Sequence, residues 1–207
     1  MSEARRVSQR LARLPGSATL AISARAREMR AEGRDVISFG AGEPDFPTPE
    51  HIVAAARDAA GVESNHHYSA NAGLLPLREA ITEYTREFSG ATVDLSQILV
   101  TNGAKQAIFQ AFAALVDPGD EVLLPSPHWV TYPAAVELAG GTPVSVPTTM
   151  ENGFKVTVDA LEAHRTDSTK ALVFVSPSNP TGSVYTSEEA VAIGEWAAMD
   201  GATSASP

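Results

Sequence analysis

Three short stretches carry residue types that could do chemistry, and each stands beside an apolar run. The first is Thr101-Asn102-Gly103-Ala104-Lys105-Gln106, after Ile98-Leu99-Val100. Small residues at a helix start let backbone N–H groups face an anion, and the helix dipole favours a phosphate there. The plainer alternative is an ordinary strand-to-helix turn with a solvated lysine. It is not a Walker A loop, because the required G-x-x-x-x-G-K-[ST] spacing is absent. The second stretch is Ser176-Pro177-Ser178-Asn179-Pro180-Thr181-Gly182. Its prolines and glycine would hold the Asn179 amide at a strand's carboxyl end, where ligands bind in open α/β sheets. A plain Asn-Pro turn is the alternative. The third is Pro127-His128-Trp129, whose indole could stack on a flat aromatic ligand or simply pack a helix against a sheet. Loops at the carboxyl ends of parallel strands share one face of the sheet, which favours a common site.

Other candidates are weaker. His66-His67 has no third ligand at metal spacing, and His51, His128 and His164 form no zincin pattern with a carboxylate. Glu188-Glu189 sits in a first helical turn, where acidic residues complement the dipole. The serine-hydrolase elbow G-x-S-x-G is missing, as is G-x-G-x-x-G, which excludes a dinucleotide-binding reading.

The elements that must position these loops follow from periodicity and punctuation. Residues 1–17 are basic and polar and read as an arm. Helices are expected from Ser17 to Glu32, from Thr48-Pro49 to Ala60, and from Leu74 to Phe88. Strands are expected at Val36–Phe39 and Ile98–Thr101. From there strand and helix alternate: helix 105–116, strand Glu121–Leu124, helix Trp129–Leu138, strand Pro143–Val146, strand Leu172–Ser176, helix 187–199. Alternation with short turns is the signature of a mostly parallel α/β sheet. The tail 201–207 has no apolar residue larger than alanine, so no further strand is expected and the architecture looks interrupted. There is no internal repeat.

Composition bounds the function. The chain has 207 residues, 43 % hydrophobic and 19 % charged, enough for a sizeable core and unlike a disordered chain. A net charge of −10 argues against a protein whose main task is to hold a nucleic-acid backbone. With no cysteine, disulfides, thiolate metal sites and cysteine catalysis are excluded. No run of 18 apolar residues exists to span a membrane, and the basic front with Arg5-Arg6 lacks the apolar stretch of a secretory signal. A cytoplasmic location is the default expectation.

Taken together the loops resemble those of the class I aminotransferases, pyridoxal-phosphate enzymes of the aspartate aminotransferase fold. The resemblance runs nearly collinearly from Arg5 to Met199. It includes Pro15-Gly16-Ser17-Ala18-Thr19, Gly40-Ala41-Gly42-Glu43-Pro44-Asp45-Phe46-Pro47-Thr48-Pro49, Tyr68 with Gly73, and Leu77-Arg78-Glu79-Ala80. Then come Thr101 to Ala107, Asp117-Pro118-Gly119-Asp120-Glu121-Val122, Pro125 to Pro133, and Ser176 to Gly182. The resemblance implies an α/β fold: an incomplete three-layer sandwich of the large domain, its mostly parallel sheet covered by helices on both faces. An N-terminal arm and the first part of a small domain would occupy 1–45, and the pyridoxal-phosphate-binding large domain 46–207.

The resemblance also implies roles. Gly103, Ala104 and Lys105 would hold the pyridoxal 5′-phosphate group through main-chain donors. Trp129 would stack on the pyridine ring, with His128 where members more often have tyrosine. Asn179 would bond the ring hydroxyl. Gly42 would offer its N–H to the substrate α-carboxylate, with Trp129 and Asn179 also bordering the amino acid and 2-oxo acid substrates. Tyr68 would reach the phosphate of a neighbouring subunit, so a homodimer is implied, with neither nucleic acid nor membrane as partner.

One departure weighs against activity. The family's chemistry needs a Schiff-base lysine in a Ser/Thr-x-x-Lys context, while the cofactor serves as electron sink. Only Lys105, Lys155 and Lys170 are present, none in that context. The aspartate for the pyridine nitrogen and the substrate-clamping arginine have no counterpart either. The later strands of the family's sheet would lie beyond residue 207, leaving strand 98–101 without neighbours and the isolated chain marginal or aggregation-prone. The expectation is an aspartate aminotransferase-like enzyme represented by its amino-terminal half, with no catalytic residue of its own and inactive alone. The alternative is a non-enzymatic relic that binds pyridoxal phosphate or phosphate weakly, or docks on a full-length relative. Aromatic amino acids, alanine and carbon–sulfur lyase chemistry stay open as substrates.

Overall fold

The computed structural model describes residues 7–14, 16, 18–40, 42–199 and 203–205. In chain order the helices and strands are α1 (Gln9–Arg13), α2 (Ala18–Ala31), α3 (Glu50–Ala60), α4 (Leu75–Ser89), α5 (Ala104–Leu115), β1 (Glu121–Ser126) and α6 (Thr131–Ala139). They continue with β2 (Thr142–Pro147), α7 (Val158–His164), β3 (Thr169–Val173), α8 (Ser187–Met199) and β4 (Thr203–Ala205). Two compact units result: one gathers the described residues up to Leu14 and from Asn102 onward, the other those between 15 and 101. The 45/46 division implied by the resemblance falls inside the second unit.

The first unit is built on a four-stranded sheet in the order β2-β1-β3-β4, with every pairing parallel. Successive side chains of a strand point to opposite faces. Val122 and Leu124 of β1, with Ala171 and Val173 of β3, therefore join Phe112, Tyr132 and Val136 in one core. Leu123 and Leu172 turn the other way, onto Val156, Leu161, Ile193 and Trp196. Helices α5 and α6 thus cover one face and α7 and α8 the other. That is why the strands read as continuous apolar runs rather than alternating ones. The expected three layers, with a parallel sheet and helices on both faces, are present.

Local chemistry sets the boundaries of these elements. The α6-to-β2 turn passes so close to the core that a Cβ on Gly141 would meet Val116 at 2.4 Å, so only glycine fits. Helix α7, which the periodicity did not suggest, starts at Thr157, whose side chain accepts from the Ala160 N–H. A threonine cap with Asp159 in the first turn is a legible start signal. Helix α1 lies within what was expected to be an arm.

Three expected features are corrected. Residues 98–101 form no strand; their Val100 N–H donates to the Ala72 carbonyl at 3.0 Å, and no ladder forms. Val36–Phe39 likewise forms no strand, and Phe39 is 93 % exposed. An apolar tetrapeptide becomes a strand only where a partner edge accepts its backbone, and neither segment has one. Conversely, a strand does follow α8: β4 pairs with β3 through Ala171–Thr203, Leu172–Ser204 and Val173–Ala205. Ladder bonds are made by main-chain groups, so small residues suffice.

The second unit contains α2, α3 and α4 with 3₁₀ turns at 63–66 and 95–97. Helix α4 ends on Gly90 in the left-handed region, and Arg78 donates to the Leu95 carbonyl beneath it. Among its described residues only Ala26 is buried. Phe46, Leu74, Tyr84 and Phe88 are exposed, the last two stacked at 5.4 Å. Among the described residues of the chain, no helix is long and apolar enough to cross a membrane.

Candidate functional site

Parallel strands bring their carboxyl ends to one edge of the first unit, and the loops leaving β1 and β3 converge there. Pro127 and His128, after β1, line a small cleft with Ser178 and Asn179, which follow β3. Phe154 and Tyr185 complete its walls. The enclosed space is about 20 Å³, room for little more than one water. The peptide bonds Ser126–Pro127, Ser176–Pro177 and Asn179–Pro180 are all cis. Asn179 itself is exposed at the loop's tip, and its side-chain amide has no hydrogen-bond partner among the described residues.

Trp129 links this edge to the start of α5. Lys105 Nζ lies 5.7 Å from the centre of the indole ring, a cation–π distance. The indole meets Tyr132 edge-on at 5.6 Å. Burial raises the Tyr132 phenol above its ordinary pKa, so it stays neutral. Gly103 precedes the helix with φ 83° and ψ 167°, a region essentially reserved for glycine. No side chain caps α5 there; Gln106 instead reaches back to the Asn102 N–H at 2.6 Å. The first-turn N–H groups of Ala104 and Lys105 have no intrahelical acceptor and can face an anion.

Gly103, Ala104, Lys105, Trp129 and Asn179 therefore all belong to the first unit. Gly42 and Tyr68 belong to the second, where Gly42 lies in irregular backbone and Tyr68 is fully exposed, at 108 %. Of the remaining lysines, Lys155 is held by Glu189 at 2.8 Å, and that bond is the largest cause lowering the Glu189 pKa. Lys170 is an exposed residue of β3. Among the described residues no three His, Asp or Glu side chains gather to hold a metal. Reading the sequence alone missed Phe154 and Tyr185. The Asn152-Gly153 pair marked the turn before Phe154, but nothing local tied either aromatic to Asn179.

A phosphorylated pyridine fits this donor set. Uncapped helix N–H groups and Lys105 suit the phosphate, the Trp129 ring suits an aromatic face, and the unpartnered Asn179 amide suits a ring hydroxyl. The cleft itself, at about 20 Å³, is too small to hold the ring.

The model of the family "Aminotransferase class I and II" matches residues 34–202. The chain is 55 % identical to the aspartate aminotransferase of Streptomyces avermitilis over 95 % of its own length and 48 % of that protein. It is 54 % identical to the "Probable aspartate aminotransferase" of Streptomyces griseus, covering 92 % of it. Among solved structures it is similar to the aspartate aminotransferase of Thermus thermophilus with maleate, at TM-score 0.92 and 43 % identity. That match covers 98 % of this chain and 53 % of the other. The aromatic aminotransferase of Pyrococcus horikoshii matches at TM-score 0.78 and 42 % identity, over 86 % of this chain and 48 % of that one. The chain belongs to the class I and II aminotransferase family. It spans about half the length of the Streptomyces avermitilis and Thermus thermophilus relatives.

Proposed function

We propose that the protein is a pyridoxal-phosphate-dependent aminotransferase, aspartate aminotransferase-like in its substrates, in which residues 46–207 contribute to the cofactor-binding large domain. The observation that carries this reading is the placement of Lys105 beside Trp129 at the uncapped start of α5. In this reading Gly103, Ala104 and Lys105 bind the phosphate, Trp129 orients the ring, and Asn179 holds the ring hydroxyl. Bound there, pyridoxal phosphate supplies the electron sink for bond breaking at the substrate α-carbon. Gly42 offers its N–H to the substrate carboxylate. The full exposure of Tyr68 suits a role toward a second subunit in a homodimer.

The same reading makes this chain inactive by itself. Lys155 is held by Glu189, Lys105 sits at the phosphate turn, Lys170 is an exposed residue of β3, and none of the three stands in the Ser/Thr-x-x-Lys context that would bond the cofactor and shuttle protons. Aspartate is favoured as substrate by the relatives' names, which also include an "Asparagine--oxo-acid transaminase" from Streptococcus mutans. The test is titration of the purified chain with pyridoxal 5′-phosphate, followed by tryptophan emission and by aspartate–2-oxoglutarate transamination. Saturable quenching without turnover is expected; turnover at enzyme-like rates overturns the inactive assignment, and no binding overturns the cofactor assignment.

A further inference from the structure

The loop that presents Asn179 is held from two sides. Within it, the Ser178 N–H donates to the Ser183 carbonyl at 2.9 Å, and the Gly182 N–H to the Ser178 carbonyl at 2.8 Å. The Tyr185 N–H donates to Ser176 Oγ at 3.2 Å, closing the base of the loop. From outside, the turn between β2 and α7 grips its downstream leg. Thr181 Oγ1 donates to Ser183 Oγ at 3.0 Å, and Ser183 Oγ donates onward to the Gly153 carbonyl at 2.6 Å. Hydroxyls that donate in series polarise one another. The Val156 N–H donates to the Tyr185 hydroxyl at 2.7 Å, and the Tyr185 ring packs on Phe174 at 4.7 Å.

The anchoring turn is itself strained. Phe154 has φ 56°, a left-handed conformation that bulky side chains seldom adopt. Its N–H donates to the Thr149 carbonyl at 2.8 Å, and its ring lines the same cleft as Asn179 and Tyr185. Backbone strain of this kind persists only where the surroundings over-determine it, and it concentrates at ligand sites. Hydrogen bonds within the turn, from Gly153 to Met150 and from Thr149 to Asn152 Oδ1, hold Phe154 in that conformation and so fix the wall it forms beside Asn179.

We propose that Ser183 and Tyr185 are positioning residues that fix the Asn179 amide toward the cofactor's ring hydroxyl, with the 149–156 turn as their anchor. The inference rests on the cofactor reading above. Neither side chain needs to touch the ligand: both act by removing freedom from the loop that does.

The test uses the full chain and two probes, pyridoxal 5′-phosphate and its analogue lacking the ring hydroxyl. Affinities are read from tryptophan emission, and amide hydrogen exchange is followed at Ser178 and Gly182. Asn179→Ala is expected to abolish the preference for the hydroxyl-bearing probe. Ser183→Ala and Tyr185→Phe are each expected to reduce that preference about three- to tenfold, the worth of one hydrogen bond, with the analogue's affinity unchanged. Exchange at Ser178 and Gly182 is expected to quicken in both, and Ser183→Thr, which keeps the hydroxyl, to restore the preference. Tyr185→Phe keeps the ring on Phe174 and so guards against simple unfolding. Equal weakening of both probes, or no change in either variant, overturns the positioning role alone. A wild-type chain without preference, or one binding neither probe, overturns the assignment of Asn179 or of the cofactor, and the positioning role with it.

Discussion

The indole N–H of Trp196 in α8 donates to Glu162 of α7 at 2.8 Å, while Arg165 grips the same carboxylate at 2.9 Å. These hydrogen bonds hold the Glu162 pKa down to about 2, the arginine contributing most. A depressed carboxylate stabilises the fold fully above its unfolded pKa, near 4.5, and loses that contribution as pH falls through about 2. Glu162→Gln keeps an acceptor for Trp196 but loses the charge. The wild-type advantage over this variant in urea unfolding is therefore expected to shrink below pH 4.5 and vanish near pH 2. An advantage unchanged over that range would show that the Glu162 charge is not its source.

The two units differ in what their side chains contribute. Leu161 is fully buried between the sheet and the α7–α8 layer, so Leu161→Ala is expected to cost about 2–5 kcal/mol. Phe88, 79 % exposed in α4, leaves no cavity when replaced, and Phe88→Ala is expected to change the chemical-denaturation midpoint of the first unit by nothing measurable. Trp196 emission, which reports on the first unit, reads both.

Two glycines respond in opposite directions to the same substitution. Gly103 sits at φ 83° and ψ 167°, so Gly103→Ala is expected to cost roughly 1–3 kcal/mol. Gly194 lies inside α8 with open space where a Cβ would go, so Gly194→Ala is expected to stabilise by about 1 kcal/mol. Thermal midpoints of the pair decide it; a neutral Gly103→Ala would remove the case for a special backbone at the start of α5.

Lys105 can be separated from its backbone neighbours by comparing ligands. Lys105→Met is expected to weaken pyridoxal 5′-phosphate binding about tenfold and to leave pyridoxal, which lacks the phosphate, nearly unaffected. It is also expected to shift Trp129 emission, since the cation beside the ring at 5.7 Å is gone. Equal loss for both ligands would place the effect on the ring instead.

Much of the first unit was legible because its signals are local. Val122-Leu123-Leu124 is bracketed by Asp117-Pro118-Gly119 and Pro125, and the α5, α6 and α8 patterns end at clear stops. The Asn179 loop announced itself through its prolines and glycine. What escaped was non-local. Whether Ile98–Thr101 pairs depends on an edge elsewhere in the fold, and β4 forms through main-chain groups that residue type scarcely encodes. The hydroxyl bond from Ser183 to Gly153 joins residues 30 positions apart, and no periodicity reports such a contact.

Among the described residues between 18 and 101, only Ala26 is buried, although the segment holds three helices. Ordering a backbone costs about 1–2 kcal/mol per residue, and little apolar burial inside the segment offsets it. The helicity of α2, α3 and α4 is therefore conditional rather than intrinsic. A surface laid over Ile52, Tyr84 and Phe88 would raise it. In the far-UV dichroism of the whole chain that dependence would show as a helical signal set partly by what lies against these side chains.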